Sequence, residues 1–125
     1  MPLDWKAIHR EALQHFQALI RFQTVNPPGQ ESLVTDYLGE VLQKEGIEFQ
    51  CLAAQEGRGN LIARLPSGKS EGPLLLSSHV DVVPVEPDKW QYPPFEARIE
   101  EGYLWGRGAI DMKHMVTFNL MTLLL

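Results

Sequence analysis

The sequence predicts an α/β protein, and three features of it indicate this class. Apolar residues recur with a helical period in the first part of the chain, and after Gly46 they alternate with polar residues. A short apolar run over residues 73–76 ends in polar residues 77–79, as in a strand that is buried on both faces. An almost entirely apolar segment, residues 115–125, follows at the end. This order favours helices packed in layers against a sheet.

Two amphipathic helices are predicted before Gly46. In the first, between Asp4 and Gln23, apolar side chains recur every three or four residues, and Asp4 is placed to cap the free backbone amides of the first turn. Two prolines and Gly29 break the pattern in the segment 24–29. A second apolar stripe starts at Leu33, and we expect this helix to stop at Gly46.

The middle of the chain is predicted to form strands. Residues 47–51 alternate in polarity, and a second apolar run at residues 60–65 follows the loop 55–59. We interpret Cys51, the single cysteine, as a small buried residue rather than a nucleophile, because no base lies near it in the sequence. The run 73–79 is predicted to be the central strand of its sheet.

The last third is predicted to contain a loop, a hairpin and a helix. The proline-rich stretch 82–95 is interpreted as an ordered but irregular loop. Residues 96–108 alternate about a Glu-Gly turn, which predicts a hairpin or a pair of short strands. Segment 115–125 suits a buried helix, but it is shorter than the roughly 20 apolar residues that cross a membrane. It ends without a capping signal, so we expect residues 1–125 to be the truncated N-terminal portion of a longer protein.

Composition and charge exclude several classes of protein. The chain has 125 residues, 44% of them hydrophobic and 22% charged, which suits one soluble globular domain. The formal net charge is -5, and basic residues are dispersed, so no nucleic-acid partner is expected. The start of the chain lacks the basic end and long apolar run of a signal peptide. A cytoplasmic location without membrane attachment is the resulting prediction.

Candidate functional residues follow the predicted buried strand. His79 comes directly after it, and Asp81 lies two residues further on, where an extended chain would bring both side chains to one side. A carboxylate so placed orients an imidazole that binds metal. Asp111 follows two glycines, at the entry to the last helix. An aspartate there can simply cap the helix, but capping does not account for the glycines or for the neighbouring His-x-Asp pair.

Several motifs together resemble a known metallopeptidase family. They are FQTVNPPGQE at residues 22–31, SSHVDVVPV at 77–85, KWQYPPF at 89–95 and GYLWGRGAIDMK at 102–113. The family that they resemble contains aminoacylase, acetylornithine deacetylase, succinyl-diaminopimelate desuccinylase and the glutamate and Gly-X carboxypeptidases. The resemblance implies the N-terminal part of a three-layer zinc-peptidase catalytic domain, with a mixed sheet flanked by helices.

The resemblance also implies roles for the candidate residues. His79 would bind one of two zinc ions, Asp111 would bridge both, and Asp81 would serve catalysis by holding His79 in place without touching metal. Cobalt or manganese would also suit carboxylate and imidazole ligands. The peptide bond between Asp111 and Met112 is expected to be cis. The family pattern has glycine where this chain has His114, and we expect this histidine to face the helix or solvent, since the family takes no ligand there.

The rest of the catalytic machinery would lie beyond Leu125 by the same resemblance. It comprises a glutamate pair, a further carboxylate ligand, a last histidine and a lid domain through which the parent protein would form a homodimer. The predicted activity of the parent is zinc-dependent hydrolysis of amide bonds in N-acyl amino acids or small peptides, with the 125-residue chain alone inactive. The alternative is a family member without catalysis, or a fragment with a structural or protein-binding role.

Overall fold

A computed structural model describes residues 2–125, and it confirms the predicted α/β class. The helices are α1 (Trp5–Arg21), α2 (Ser32–Lys44) and α3 (His114–Leu124). The strands are β1 (Phe49–Ala53), β2 (Gly59–Ala63), β3 (Arg98–Glu100) and β4 (Tyr103–Trp105). Two short helical turns, Pro87–Lys89 and Ala109–Lys113, lie in the last third of the chain.

The first two helices begin and end close to the predicted residues. The Asp4 carboxylate accepts hydrogen bonds from the backbone amides of Lys6 at 3.0 Å and Ala7 at 3.2 Å, so it caps α1 as predicted. Helix α2 is followed by Gly46, whose φ of +69° lies in the left-handed region that commonly ends a helix. Local sequence signals therefore determine where α1 begins and where α2 ends.

The hydrophobic core lies where the three helices meet the first hairpin. Its buried members come from each helix: Leu19, Val34, Leu38, Leu42, Val116 and Leu120. Phe49, Leu61 and Ala63 of the β1–β2 hairpin pack against this cluster. Gly39 of α2 makes room for the Phe49 ring, since a Cβ at that glycine would lie 2.8 Å from a ring carbon. The core thus packs α1 against α3. Helix α1 leads to the segment that is bonded to Val82, next to Asp81, and α3 follows the segment that carries Asp111.

Both predicted pairs of strands are present, and each pair forms an antiparallel hairpin. Strands β1 and β2 pair antiparallel with Phe49 opposite Ala63, and β3 and β4 pair with Ile99 opposite Leu104. The turn between β3 and β4 consists of Glu101 and Gly102, which both have positive φ, as a two-residue turn that matches the strand twist requires. This second hairpin leads directly to the segment that carries Asp111.

The predicted central strand at residues 73–79 is wrong. Leu74 and Leu75 are 84% and 85% exposed, and the segment lies outside any strand. A strand needs backbone partners, and in residues 2–125 the strands form two separate two-stranded sheets instead of one mixed sheet. Parallel pairing in this part of the chain is limited to a bridge between Val25 and Val82. An apolar run alone therefore does not place a strand.

Two further expectations about burial are corrected. Cys51 is exposed, because β1 contacts the core through Phe49 and its other four residues face solvent. Helix α3 is buried along one face, whereas Phe118 on another face is exposed, so the helix is not buried all round. None of the helices within residues 2–125 is long and apolar enough to cross a membrane.

Candidate metal centre

The backbone around Asp81 is held against the segment that follows α1. Val82 N donates to Thr24 O and Asn26 N donates to Val82 O, both at 2.9 Å, which forms the parallel bridge. The buried Thr24 hydroxyl donates to Val80 O at 2.6 Å. Asp81 lies between the two valines, so bonds on both sides fix its backbone position.

The structure brings His79 and Asp81 together, as their spacing predicts. The Nδ1 atom of His79 lies 3.1 Å from Asp81 Oδ1 and 3.1 Å from the Asp81 backbone oxygen. The other carboxylate oxygen, Asp81 Oδ2, accepts a hydrogen bond from Asn26 Nδ2 at 3.0 Å. Asp81 is therefore oriented by Asn26 and in turn orients the imidazole of His79.

Asp111 contacts the opposite nitrogen of the same ring. His79 Nε2 lies 2.9 Å from Asp111 Oδ1, and the Asp111 side chain is 86% exposed. The imidazole thus lies between two carboxylates, and an imidazolium can donate to both of them. His79 and Asp81 thus form one cluster with Asp111, which lies 32 positions after His79 in the sequence.

Electrostatics in this cluster favour charged forms. Desolvation lowers the pKa of His79, but its hydrogen bonds to Asp111 and Asp81, together with the two negative charges, outweigh that effect and raise the pKa above its usual value. The pKa of Asp81 is lowered, chiefly because Asn26 donates to its carboxylate. Asp81 is therefore ionised at neutral pH and favours a proton on His79 Nδ1, which leaves Nε2 as the nitrogen that can bind a metal.

The segment that carries Asp111 approaches the rest of the chain closely at two glycines, Gly106 and Gly108. A Cβ at Gly106 would clash with Ile20, and a Cβ at Gly108 would lie 2.6 Å from Val82 Cγ1. Gly108 also has a φ of +84°. The peptide bond between Asp111 and Met112 is cis, as expected. Glycine at these positions lets Asp111 approach His79.

Lys113 anchors this segment from the inside. Its side chain is fully buried, and Nζ donates to Leu19 O at 2.8 Å and to Phe22 O at 2.7 Å, at the C-terminal end of α1. A positive charge is favourable there, because the carbonyl groups at a helix C-terminus carry partial negative charge. Burial lowers the pKa of Lys113 to about 8. The contact ties the Asp111 segment to the same end of α1 that leads to Asn26.

Sequence reasoning missed both Asn26 and Lys113. Each lies inside a motif that carried the family resemblance, Asn26 before the proline pair and Lys113 two residues after Asp111. The groups that they contact lie 55 positions away for Asn26 and 91 and 94 positions away for Lys113. The motif positions were the available signal, and the contacts had to come from the structure.

The remaining histidines lie in packing contacts. His114 meets the Phe118 ring edge-on with centroids 5.9 Å apart, and its buried Nδ1 has no hydrogen-bond partner within residues 2–125. His15 Nδ1 lies 2.7 Å from the Tyr37 hydroxyl, and the His9 ring lies 6.1 Å from that of Trp5. These contacts agree with the expectation that His114 faces its own helix, and they place His9 and His15 in packing contacts of helix α1.

The cluster has part of the donor set that zinc needs. His79 Nε2 and Asp111 Oδ1 are an imidazole nitrogen and a carboxylate oxygen, both common zinc ligands, and a carboxylate supports the other ring nitrogen as in many metal sites. No group of three or more His, Cys, Asp or Glu side chains in the described part of the chain is arranged to hold a metal ion. The residues fit a metal by their chemistry, and further donors would have to complete the site.

A cavity of about 390 Å³ borders the cluster. His79, Asp81 and Asp111 line it together with Trp90 and Arg107, which come from the proline-rich loop and from the end of the second hairpin. The space is open enough for a small molecule to reach the His79 and Asp111 side chains. An imidazole between two carboxylates at the edge of such a cavity can bind a ligand and exchange a proton with it.

Comparison with known proteins places the chain in a family. Residues 75–124, which include the whole His79, Asp81 and Asp111 cluster, match the profile of a family described as peptidase family M20/M25/M40. The chain belongs to this family, and the resemblance drawn from its motifs is confirmed.

Individual relatives share over a third of their aligned residues with the chain. It is 35% identical over 117 residues to a probable succinyl-diaminopimelate desuccinylase of Staphylococcus aureus, covering 92% of this chain and 28% of the relative. It is 37% identical over 96 residues to a Staphylococcus epidermidis protein of the same name, covering 76% and 23%. It is 39% identical over 104 residues to a succinyl-diaminopimelate desuccinylase of Caulobacter sp. strain K31, covering 80% and 25%. The chain thus spans about a quarter of the length of these relatives.

Proposed function

We propose that this chain provides part of the metal centre of a zinc-dependent hydrolase that cleaves amide bonds in N-acyl amino acids or small peptides. The observation that carries the proposal is the His79 ring, with Nε2 at Asp111 and Nδ1 at Asp81. Membership of a peptidase family supports hydrolysis, and the names of the relatives describe removal of a succinyl group. Deacylase or carboxypeptidase action on such substrates is the activity proposed for the whole protein.

Each residue of the cluster has a distinct role in this proposal. His79 would bind zinc through Nε2, and Asp111 would bind through its carboxylate, between two zinc ions. Asp81 holds a proton on His79 Nδ1 and fixes the ring, and Asn26 holds Asp81. Bound zinc supplies Lewis acidity that polarises the substrate carbonyl, and cobalt or manganese suits the same donors.

The 125-residue chain by itself is proposed to be inactive. His79 and Asp111 are two donors, whereas catalytic zinc sites use about three protein ligands for each ion. A proton must also reach the departing amine, and a general acid or base must lie within hydrogen-bond reach of it. We therefore assign turnover to the whole protein, which would supply the missing donors. The absence of a third donor near His79 within residues 2–125 also keeps open a non-catalytic role, structural or protein-binding.

Zinc binding tests the assignment of the cluster. In the protein encoded by the complete reading frame, His79→Ala should abolish binding of at least one zinc ion, and Asp81→Asn should weaken zinc affinity about 10- to 100-fold. Chelator competition measures the affinity, and His9→Ala on α1 is the control that should leave it unchanged. Equal zinc affinity in the wild type and His79→Ala would refute the ligand role.

Activity measurements separate the two candidate functions. Hydrolysis of N-acetyl and N-succinyl amino acids is measured for the complete protein and for residues 1–125 with added zinc. The proposal expects turnover by the complete protein and none by residues 1–125. Turnover by the chain alone would reject its inactivity, and zinc binding without turnover in the complete protein would favour the non-catalytic role.

A further inference from the structure

A largely buried ion pair joins the β1–β2 hairpin to the start of α2. Arg58, in the loop between the two strands, has Nη2 2.8 Å from Oε1 of Glu31, the residue before α2. The Glu31 side chain is 9% exposed, and its Oε2 atom is buried without a hydrogen-bond partner within residues 2–125. Removing the cation from such a pair is strongly unfavourable, because it leaves a buried charge without a partner. Arg58 therefore holds the Glu31 side chain in this position.

The ion pair packs directly on Gly29. A Cβ at Gly29 would lie 2.7 Å from Arg58 Nε and 2.8 Å from Glu31 Oε2. A second contact fastens the same loop to the start of α2, since Ser32 N donates to Gly57 O at 2.9 Å. The loop before β2 therefore lies against the end of the segment that connects α1 to α2.

Asn26 lies between this contact and the candidate metal centre. Gly29 N donates to Val25 O at 2.8 Å, which closes a turn around Asn26. On its other side, Asn26 N donates to Val82 O at 2.9 Å and Asn26 Nδ2 donates to Asp81 Oδ2 at 3.0 Å. The turn is thus held at one end by the segment that carries Asp81 and at the other end, through Gly29, by the ion pair.

We propose that Arg58 is a positioning residue for the candidate metal centre and that it acts through Asn26. With its partner Glu31, it packs against Gly29 and so fixes the turn that carries Asn26. The Asn26 amide then keeps its hydrogen bond to Asp81, the carboxylate that orients the metal-binding imidazole. A metal site needs its ligands held to within about 0.5 Å, so a small movement of the turn weakens it. For the effect on zinc the inference rests on the proposed function, whereas the effect on Asn26 does not depend on a metal.

A direct test observes the Asn26 side-chain amide by NMR. The sample is the protein encoded by the complete reading frame, without metal and labelled with ¹⁵N at its asparagine side chains, and the Asn26 signals are assigned by their loss in Asn26→Ala. In Arg58→Met these signals should move toward those of the unfolded protein and exchange faster with water, because the hydrogen bond to Asp81 is weakened. Unchanged Asn26 signals in folded Arg58→Met would overturn the proposal.

Two control variants separate positioning from stability. Arg98→Met removes an arginine that forms an ion pair with Glu100 on the other hairpin, and it should leave the Asn26 signals in place. Leu42→Ala lowers stability near the opposite end of α2, and it too should leave the signals of the folded protein in place. A role of Arg58 in stability alone predicts the same result for Arg58→Met. A shift in either control as large as that in Arg58→Met would also reject the proposal.

Two milder substitutions decide the question if Arg58→Met does not fold. Glu31→Gln keeps the size of the side chain but removes its charge, so the Asn26 signals should move in the same direction by a smaller amount. Arg58→Lys keeps a cation opposite Glu31 and should restore most of the wild-type signals. Asn26 signals that stay in place in Glu31→Gln would reject the proposal.

Zinc affinity shows whether Arg58 acts through Asn26. Loss of a group that supports a metal ligand lowers metal affinity about 10- to 100-fold, and Arg58 acts from further away, so Arg58→Met should weaken zinc binding about three- to tenfold. In an Asn26→Ala background the same substitution should have little further effect, because the amide through which it acts is gone. Chelator competition on the complete protein measures both losses, and full additivity would reject this route.

Failure of this inference can be told apart from failure of the proposed function. If the Asn26 signals move in Arg58→Met but the complete protein binds no zinc, the positioning role stands and the zinc site is rejected. If the complete protein binds zinc and hydrolyses an N-acyl amino acid, while Arg58→Met changes neither the Asn26 signals nor the zinc affinity, the positioning role is rejected and the zinc site stands.

Discussion

Gly108→Ala is expected to destabilise the chain strongly, because two unfavourable effects coincide at this position. Gly108 has a φ of +84°, where an L-residue is strained. A Cβ there would lie 2.6 Å from Val82 Cγ1 and 3.4 Å from Lys113 Cδ. Val82 is buried and its backbone is bonded to Thr24 and Asn26, so its side chain cannot yield without disturbing the segment that carries Asp81.

The expected loss can be divided between the two effects. The left-handed conformation costs an L-residue roughly 1–2 kcal/mol, and overpacking a well-filled site costs about 1–3 kcal/mol. Together they lower the free energy of unfolding by about 2–5 kcal/mol. Gly102→Ala is the matched control: φ is +81° there and no atom lies within 4 Å of the added Cβ, so the variant has only the conformational cost. The difference between the two variants measures the contact with Val82.

Urea unfolding followed by circular dichroism measures both variants, and a double-mutant cycle with Val82→Ala isolates the pair. Val82→Ala removes Cγ1, so Gly108→Ala should cost less in that background than in the wild type. Equal losses for Gly108→Ala and Gly102→Ala, together with no coupling between positions 108 and 82, would refute the close approach on which the argument depends.

Three further predictions test the cluster, the core and the exposed segment. Asn26→Ala should raise the pKa of Asp81, since the Asn26 amide is the main group that lowers it, and an NMR carboxyl titration with an unchanged pKa would contradict this. Burial raises the pKa of Tyr37, so the stabilising contribution of its neutral form is complete below pH about 10 and is lost as the pH rises through the raised pKa. In urea unfolding above pH 10, Tyr37→Phe should therefore lose less stability than the wild type. By the same assay, exposed Leu75→Ala should change the free energy of unfolding by less than about 0.5 kcal/mol and buried Leu42→Ala should lower it by about 2–5 kcal/mol. Equal costs would indicate that Leu75 is buried.

Much of the fold follows from local patterns in the sequence. The Asp4 cap, the end of α2 before Gly46 and the Glu101-Gly102 turn involve residues close together in the chain, and all three were predicted. Within such short segments, hydrophobic period and backbone preference determine the structure without reference to distant residues.

The errors occurred where a pattern needed distant partners. Residues 73–79 have the composition of a buried strand, but a strand forms only when another backbone lies beside it, and the described chain provides none there. Cys51 alternates correctly with its neighbours, yet only Phe49 of its strand contacts the core. Apolar composition shows that a segment has side chains to bury. It does not show whether another part of the chain packs against them.

The candidate site contains one contact that a local pattern predicts and one that it does not. Spacing alone placed His79 beside Asp81, because alternate residues of an extended chain point to one side. Asp111 lies 32 positions from His79, and its place in the cluster was expected from the motif resemblance rather than from any local pattern. The structure brings the two side chains together, and the zinc roles of all three residues stay predictions.

The sequence by itself determined the α/β class, the two pairs of strands and the family, since each depends on local order or on motifs read along the chain. Only the tertiary structure decided which groups support the cluster. Asn26 meets Asp81 across 55 positions, and Lys113 meets Leu19 across 94. The partner of a polar side chain is set by how the chain folds back on itself, because a hydrogen bond depends on distance in space and not in sequence.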